Sequence, residues 1–232
     1  DLAKNGFRLL DRNILFKTRY KDGDKVRAGT KAAYLEGKAQ AILTAERVVL
    51  NFLSHLSGIA TLTRKFVDQA RPFKVKITDT RKTLPNLRHL QKYAVKCGGG
   101  YNHRFSLNEM VMIKDNHKKV RADKSNLTDL IREARKKTGK KIEIEVENLK
   151  EYRQALLAKP KIIMLDNMKV GDIKKAVRIK SANSRYRSII LEVSGNVNLK
   201  NVRKIAKTGV NMISVGSLTH SPKGIDVSLE IK

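Results

Sequence analysis

The 232-residue sequence contains little of what marks a secreted or membrane protein. Its one cysteine, Cys97, cannot form an internal disulfide, which excludes a disulfide-stapled domain and fits a reducing cytoplasm. Its apolar stretches are short and interrupted by charge, so none of them resembles a membrane span or a signal peptide. With 41% apolar residues the chain can still bury a substantial core. We therefore expect a soluble, cytoplasmic, globular protein.

Acidic residues are scarce: 22 Asp and Glu stand against 50 Lys and Arg, which gives a net charge of +28. Such an excess attracts polyanions, namely nucleic acid, an acidic membrane or a highly phosphorylated substrate. The cations are spread along the whole chain, however, tryptophan is absent, and no zinc-finger, RRM-like or basic-helix pattern occurs. We expect most of these charges to be solvated helix faces, with a minority serving an anionic site. Nucleic acid and membrane are not expected partners.

The sequence changes character along its length. Residues 1–39 show turn signals and no helical period, which favours short strands joined by tight turns. Over residues 39–70 apolar residues recur at three- and four-residue steps, which predicts a helix with a break near Ser57 and Gly58. After Pro72, short apolar runs alternate with helical segments.

Six apolar runs after Pro72 predict the strands of a parallel sheet, because helical segments separate them and right-handed β-α-β crossovers join parallel strands. The runs are Val75–Thr80, Met110–Lys114, Ile142–Glu147, Ile162–Asp166, Ile189–Ser194 and Met212–Gly216. The helical segments are Asn86–Cys97, Ser125–Lys137, Leu149–Ala158, Val170–Ile179 and Leu199–Ala206. The apolar, β-branched strands indicate burial on both faces, which favours an α/β barrel over an open sheet with one solvated side.

Polar residues follow these runs, and the carboxyl ends of barrel strands meet on one face, where barrel enzymes bind their substrates. Arg81 and Lys82 follow the first run, and Lys114 ends the second. His103 and Arg104 lie between them, after a glycine-rich segment. The fork of an Arg suits a carboxylate, and the compact charge of a Lys suits a phosphate. Each cation alone is typical of a protein surface, but their coincidence predicts one anion-binding site.

Two acids and two small-residue turns complete this predicted site. Glu145 lies among the alternating acids of Glu143–Glu147, which should face the barrel lumen, and Asp166 ends the next strand. Carboxylates at neighbouring strand ends could accept hydrogen bonds from ribose hydroxyls, help to hold a hydrated Mg²⁺, or only neutralise nearby cations. Ser194–Gly195 and Gly216 follow the last two strands and resemble a phosphate cradle of backbone N–H groups.

These residues belong to longer motifs that resemble the quinolinate phosphoribosyltransferase family, the carboxylating nicotinate-nucleotide pyrophosphorylases. The first half carries Glu46–Asn51, Leu56–Thr61, Asp79–Pro85, Lys92–Val95 and Gly98–Arg104. The second half carries Ile113–His117, Glu143–Val146, Leu165–Asn167, Ser194–Gly195 and Val215–His220. The resemblance covers nearly the whole chain in order. It departs from the family at Asn196, where a second glycine is common, and at the amino end, which starts several dozen residues later than usual.

The resemblance implies a fold of two parts, an incomplete (open) α/β barrel over residues 58–220 and a smaller α/β sandwich over residues 1–57 that residues 221–232 complete. It implies a pentosyltransferase that makes nicotinate mononucleotide, CO₂ and pyrophosphate from quinolinate and phosphoribosyl pyrophosphate with Mg²⁺, in de novo NAD biosynthesis. It further implies a homodimer with shared active sites, or a hexamer built from such dimers.

The resemblance also assigns roles to individual residues. Quinolinate would be held by Arg81, His103, Arg104 and Lys114, with Arg47 from the neighbouring subunit. The phosphoribosyl group would be held by Lys82, Glu145, Asp166, Ser194, Gly195, Gly216 and His220. Lys82, Glu145 and Asp166 would be catalytic, and the two acids would contact Mg²⁺ largely through substrate and water.

Alternative functions stay open at this point. Within the fold, the chain could be a related phosphoribosyltransferase-like protein, such as the molybdenum-transport relative or a nicotinate-using enzyme. Retention of His103, Arg104 and Lys114 together favours the dicarboxylic substrate. From a different class, a basic nucleic-acid-binding module would explain the charge of +28 but not the polar residues at the strand ends.

Overall fold

A computed structural model describes residues 1–120 and 126–231. The helices are α1 (Leu2–Arg8), α2 (Ala39–Ala70), α3 (Arg88–Cys97), α4 (Asp115–Val120), α5 (Leu127–Lys137), α6 (Leu149–Ala158), α7 (Val170–Ser181), α8 (Val202–Ala206) and α9 (Ser217–His220). The strands are β1 (Leu15–Lys17), β2 (Tyr34–Glu36), β3 (Lys76–Thr78), β4 (Met110–Ile113), β5 (Lys141–Val146), β6 (Ile162–Asp166), β7 (Ile190–Ser194) and β8 (Met212–Ser214). Each of the six predicted strand runs therefore overlaps an observed strand.

The chain folds into two compact units, which we call the sheet unit and the small unit. The sheet unit consists of Lys65–Lys82 and Gly100–Gly216. The small unit consists of Asp1–Arg64, Thr83–Gly99 and Ser217–Lys232. None of the helices within the described residues is long and apolar enough to span a bilayer.

Six parallel strands form one sheet in the sheet unit, in the order β3-β8-β7-β6-β5-β4. From β4 to β8 each strand pairs with its neighbour in the sequence, and β3 returns to pair with β8, as the first and last strands of a barrel do. Among the described residues β3 and β4 do not pair, so the sheet is open between them. The predicted incomplete α/β barrel is confirmed.

The two faces of this sheet differ in chemistry because side chains alternate along each strand. One face is apolar and packs against α5 and α6, and it includes Ile77, Ile113, Ile144, Ile163, Leu191 and Ile213. The other face is polar, and it includes Thr78, Glu143, Glu145, Asp166, Glu192, Ser194 and Ser214. The predicted alternation of acids in β5 thus places Glu143 and Glu145 on the polar face.

Asparagine side chains cap the amino ends of two of the helices that pack on the sheet. The Asn126 side chain accepts a hydrogen bond from the N–H of Asp129 at the start of α5. The Asn148 side chain does the same for Glu151 at the start of α6. These N-caps satisfy backbone donors that have no partner within the helix. Ser125, where we predicted the first of these helices to begin, lies outside the described residues.

The small unit has its own core, formed where α1 and α2 meet the antiparallel pair β1 and β2. Its buried members are Ala3, Phe7, Ile14, Ile42, Ala45 and Val49. Leu229, near the carboxyl end, packs against it. The expectation of strands alone before residue 39 is wrong, because α1 precedes them. With seven residues, this helix is too short to display a helical period in the sequence.

The predicted break in the second helix is also wrong, because α2 is continuous from Ala39 to Ala70. A Cβ atom on Gly58 would lie 2.2 Å from the backbone oxygen of Lys223. Gly58 is therefore required by the close approach of another backbone segment of the small unit, and not by a turn. The same segment is held by the Ser54 hydroxyl, which donates to the Ile225 carbonyl oxygen at 2.6 Å.

Candidate active site

The carboxyl ends of the sheet strands carry most of the predicted site residues. Arg81 and Lys82 follow β3, Lys114 follows β4, Glu145 lies in β5, and Asp166 ends β6. Three more positions follow the last strands: Ser194 ends β7, Gly195 comes next, and Gly216 follows β8. Two predicted residues, Arg47 in α2 and His220 in α9, belong to the small unit, and both are exposed.

Arginine side chains form the cationic part of the site. The half-buried Arg104 donates from Nη1 to the Met110 carbonyl oxygen at 2.8 Å and from Nη2 to the Met112 sulfur at 3.3 Å. Burial and the nearby charge of Arg81 lower the pKa of Arg104, whereas Glu143 opposes this shift. Two guanidinium groups near enough to repel each other are stabilised by an anion placed between them. This pair therefore fits a carboxylate-bearing ligand.

Carboxylates form the opposite part of the site. Burial raises the pKa of Glu145, the charge of Asp166 raises it further, and Lys114 opposes the shift. Asp166 also accepts a hydrogen bond from Asn167 Nδ2 at 2.8 Å. Two half-buried carboxylates that repel each other suit a hydrated Mg²⁺ or a set of ribose hydroxyls. The donor chemistry at these two strand ends therefore fits the Mg²⁺ that the family implies.

A tight turn follows β7 beside these acids. Gly195 has φ +86°, and the next residue, Asn196, has φ +50°. The Asn196 side chain donates to Asn167 Oδ1 at 3.0 Å, and the Asn167 N–H donates to the Ser194 carbonyl oxygen at 3.0 Å. Asn is among the few residues that adopt left-handed backbone angles readily, which explains why it can replace the second glycine here.

We expect Gly195→Ala to destabilise the protein by about 1–3 kcal/mol, because an L-residue is strained at this positive φ. The added Cβ would also lie 2.2 Å from Asn167 Oδ1 and 2.9 Å from the Asn167 backbone nitrogen. Urea unfolding of the purified variant measures the change. Gly171→Ala is the matched control, since no atom lies within 4 Å of its added Cβ in α7. Equal free energies of unfolding for the two variants would contradict the expectation.

A buried cluster on the polar face joins the predicted site residue His103 to two acids, Glu143 and Glu192, that sequence reasoning did not assign to the site. His103 Nε2 lies 3.1 Å from Glu192 Oε2 and 3.3 Å from Glu143 Oε2. Both carboxylate side chains are fully buried, and the imidazole is 6% exposed. The backbone N–H of His103 donates to Asp79 Oδ1 at 2.9 Å, which ties this segment to the end of β3. The sequence did offer a signal for these acids, because a carboxylate in the middle of an apolar strand is costly to bury unless it has a partner.

The ionisation of this cluster follows from its burial. Burial favours the neutral imidazole and lowers the pKa of His103, whereas the hydrogen bonds and charges of Glu143 and Glu192 raise it. Burial and Glu192 raise the pKa of Glu143. However, the Arg104 N–H points at His103 Nδ1 from 2.9 Å. This hydrogen bond requires an unprotonated Nδ1, because an N–H group cannot donate to a protonated nitrogen.

A second cationic surface lies at the other end of the sheet. A concavity of about 230 Å³ there is lined by the basic residues Arg135, Lys140, Lys141, Lys159 and Lys161. No acidic residue of the described ranges 1–120 and 126–231 lines it. Cations without carboxylates can attract an anion but offer no group for a ribose or a metal ion, so we assign the chemistry to the carboxyl ends of the strands.

The fold and this site define a class. A parallel barrel sheet whose strand ends combine cations with paired carboxylates is typical of α/β-barrel enzymes that act on anionic substrates. Family models narrow the class: "Quinolinate phosphoribosyl transferase, N-terminal domain" matches residues 2–57, and the corresponding C-terminal domain matches residues 59–230. The chain belongs to the quinolinate phosphoribosyltransferase family.

Individual relatives agree with this assignment. The chain is 43% identical to a probable carboxylating nicotinate-nucleotide pyrophosphorylase of Bacillus subtilis, over 99% of this chain and 78% of the relative. It is 45% identical to the protein of the same name from Methanocaldococcus jannaschii, over 94% and 77%. The solved nicotinate-nucleotide pyrophosphorylase of Ehrlichia chaffeensis superposes with a TM-score of 0.91 at 40% identity, over 100% of this chain and 82% of that structure.

Proposed function

We propose that this chain transfers a phosphoribosyl group from phosphoribosyl pyrophosphate to quinolinate, with release of CO₂ and pyrophosphate, to give nicotinate mononucleotide for NAD biosynthesis. The observation that carries the proposal is the juxtaposition, at one end of the sheet, of the Arg81–Arg104 pair with the Glu145–Asp166 pair. One pair suits a dicarboxylate, and the other suits the ribose and metal ion of the co-substrate.

The quinolinate half of the site consists of cations. Arg81, Arg104 and Lys114 bind the two carboxylates. His103 supports Arg104 by accepting a hydrogen bond from its backbone N–H. Arg104 is already oriented by its two hydrogen bonds within the protein. Arg47, whose side chain is 77% exposed, completes this half from the second subunit of a homodimer. A site prepared in this way binds a dicarboxylate better than a monocarboxylate, which would leave cations unneutralised.

The phosphoribosyl half consists of the acids and the small-residue turns. Glu145 and Asp166 hold the ribose, and they would also hold Mg²⁺, mainly through substrate and water. When bound, Mg²⁺ supplies positive charge that neutralises the departing pyrophosphate. Lys82 adds a point charge for phosphate, and the remaining phosphate contacts come from Ser194, Gly195, Gly216 and His220.

The chemistry requires positioning more than proton transfer. The pyridine nitrogen of quinolinate has a free lone pair, so it attacks the anomeric carbon without a general base. Positive charge develops on the ribose as pyrophosphate leaves, and Glu145 and Asp166 stabilise it. Alignment of two anionic reactants contributes up to about 7–11 kcal/mol of the barrier reduction. The alkylated ring nitrogen then stabilises the carbanion left as the adjacent carboxylate departs as CO₂, and that carbon takes up a proton.

We propose a cytoplasmic setting for this reaction. We place the enzyme in the cytoplasm, because Cys97, a free and half-buried cysteine, needs no oxidising compartment. Arg47 is exposed in the small unit, which leaves it accessible to a second copy of the chain.

We expect the purified protein to consume quinolinate with phosphoribosyl pyrophosphate and Mg²⁺ and to release one CO₂ per nicotinate mononucleotide. Nicotinate, which lacks the second carboxylate, should react at least about tenfold more slowly, since loss of one charge-assisted contact alone costs roughly 1.5–3 kcal/mol. Release of labelled CO₂ and chromatography of the nucleotide measure both. Comparable turnover of nicotinate would support the nicotinate-using alternative, and no turnover of either would support a non-catalytic relative.

A further inference from the structure

A chain of hydrogen bonds crosses the polar face of the sheet. The Ser214 hydroxyl donates to Glu192 Oε1, and Ser214 Oγ in turn lies 2.8 Å from Thr78 Oγ1. Glu192 Oε2 lies 3.1 Å from His103 Nε2, and His103 Nδ1 accepts from the Arg104 N–H at 2.9 Å. The chain thus runs from β3 through β8 and β7 to the backbone of Arg104. All of its side chains but that of Arg104 are buried or nearly so.

The direction of each hydrogen bond can be derived. Arg104 N–H can only donate, so Nδ1 carries a lone pair, and the imidazole proton must be on Nε2. Nε2–H therefore donates to Glu192, whose other oxygen already receives the Ser214 proton. Both Glu192 oxygens are then satisfied as a carboxylate. Because a hydroxyl has one proton, Ser214 accepts from Thr78.

We infer that Glu192 is a positioning residue for catalysis: it fixes the His103 tautomer, and His103 in turn fixes the backbone of Arg104. The inference rests on the proposed function, in which the Arg104 guanidinium binds a carboxylate of quinolinate. Met110 and Met112 hold the Arg104 guanidinium, and the hydrogen bond to His103 Nδ1 holds its backbone. Errors of about 1 Å in such positions reduce catalysis strongly.

A metal ion is the competing explanation of this cluster. The ligand atoms of His103, Glu143 and Glu192 lie within 4.8 Å of one another, and Glu143 is fully buried. A histidine that binds a metal through Nε2 normally keeps a proton on Nδ1 and donates it to an oxygen. Here Nδ1 accepts a hydrogen bond instead, so Nε2 keeps its proton and has no lone pair for a metal.

NMR of the wild-type protein tests the tautomer without relying on activity. The chain has five histidines, so the ¹⁵N signals of His103 are identified by their loss in His103→Gln. Near neutral pH we expect Nε2 to carry the proton and Nδ1 to carry none. An Nδ1–H signal, whether from the other tautomer or from the doubly protonated ring, would overturn the inference. Loss of the Nε2 proton on addition of Zn²⁺ would also overturn it, in favour of a metal ion bound by this nitrogen.

Steady-state kinetics test the positioning. Glu192→Leu removes the acceptor and should raise KM for quinolinate by about tenfold or more, while KM for phosphoribosyl pyrophosphate changes by less than about threefold. Glu192→Gln keeps an acceptor for Nε2–H and should restore KM for quinolinate to within about threefold of wild type. Equal increases in both KM values, or equal damage by Leu and Gln, would overturn the inference. If Glu192→Leu fails to fold, the NMR measurement decides.

Tyr152→Phe is the matched control for these variants. The wild-type Tyr152 hydroxyl donates a buried hydrogen bond to the Ala176 carbonyl oxygen at 2.8 Å, also within the sheet unit. Its removal should lower thermal stability and leave both KM values unchanged. Wild-type protein that does not use quinolinate would refute the proposed function. The NMR measurement would still test the chain of hydrogen bonds, because it does not depend on activity.

Discussion

Arg104→Ala is expected to reduce kcat/KM for quinolinate by about 100-fold or more, because two charge-assisted hydrogen bonds to a carboxylate are lost, at roughly 1.5–3 kcal/mol each. The Arg104 fork is oriented before substrate arrives, by the Met110 carbonyl oxygen and the Met112 sulfur. Its contribution therefore requires little ordering of the side chain on binding. Initial rates at varied quinolinate and saturating phosphoribosyl pyrophosphate measure the effect.

Two further variants separate charge from geometry at this position. Arg104→Lys keeps the charge but loses the planar fork, so it should recover only part of the activity. Arg132→Ala removes an exposed arginine of α5 that pairs with Asp129 at 3.6 Å, and it should leave kcat/KM within about threefold of wild type. An unchanged kcat/KM for Arg104→Ala would remove Arg104 from the quinolinate site.

Subunit complementation is expected to give the second large effect. If Arg47 completes the site of a second subunit, Arg47→Ala and Lys114→Ala should each be nearly inactive alone. When mixed under conditions that exchange subunits, they should regain up to about a quarter of wild-type activity. Random mixing makes about half of the dimers mixed, and each mixed dimer has one intact site and one doubly defective site.

The complementation experiment needs evidence that mixed dimers form. Different affinity tags on the two variants allow the mixed species to be purified and assayed directly. Arg12→Ala, mixed with Lys114→Ala, is a control for a small-unit arginine that has no predicted role in the site. A purified mixed dimer of Arg47→Ala and Lys114→Ala without activity would show that Arg47 acts within its own subunit or only supports the fold.

The sheet strands and the strand-end residues could be predicted from the sequence because both depend on local order. Apolar, β-branched runs such as Ile162–Asp166 are buried strands wherever helices separate them, and the observed β6 has the same limits. Once the strands are parallel, their carboxyl ends must meet at one end of the sheet. Arg81, Lys114 and Asp166 could therefore be placed together without coordinates.

The sequence alone did not reveal contacts between segments that are distant in the chain. Gly58 predicted a break, yet the helix is continuous there, and the position requires glycine because the backbone of Lys223 passes close to it. Likewise, Glu192 is a single acid in an apolar strand, and its partner His103 lies 89 residues away. Local pattern determined the class of fold, the family motifs and the end of the sheet that carries the chemistry. Only the tertiary structure decided how Arg104 is held, because hydrogen bonds between distant segments depend on packing that no local pattern encodes.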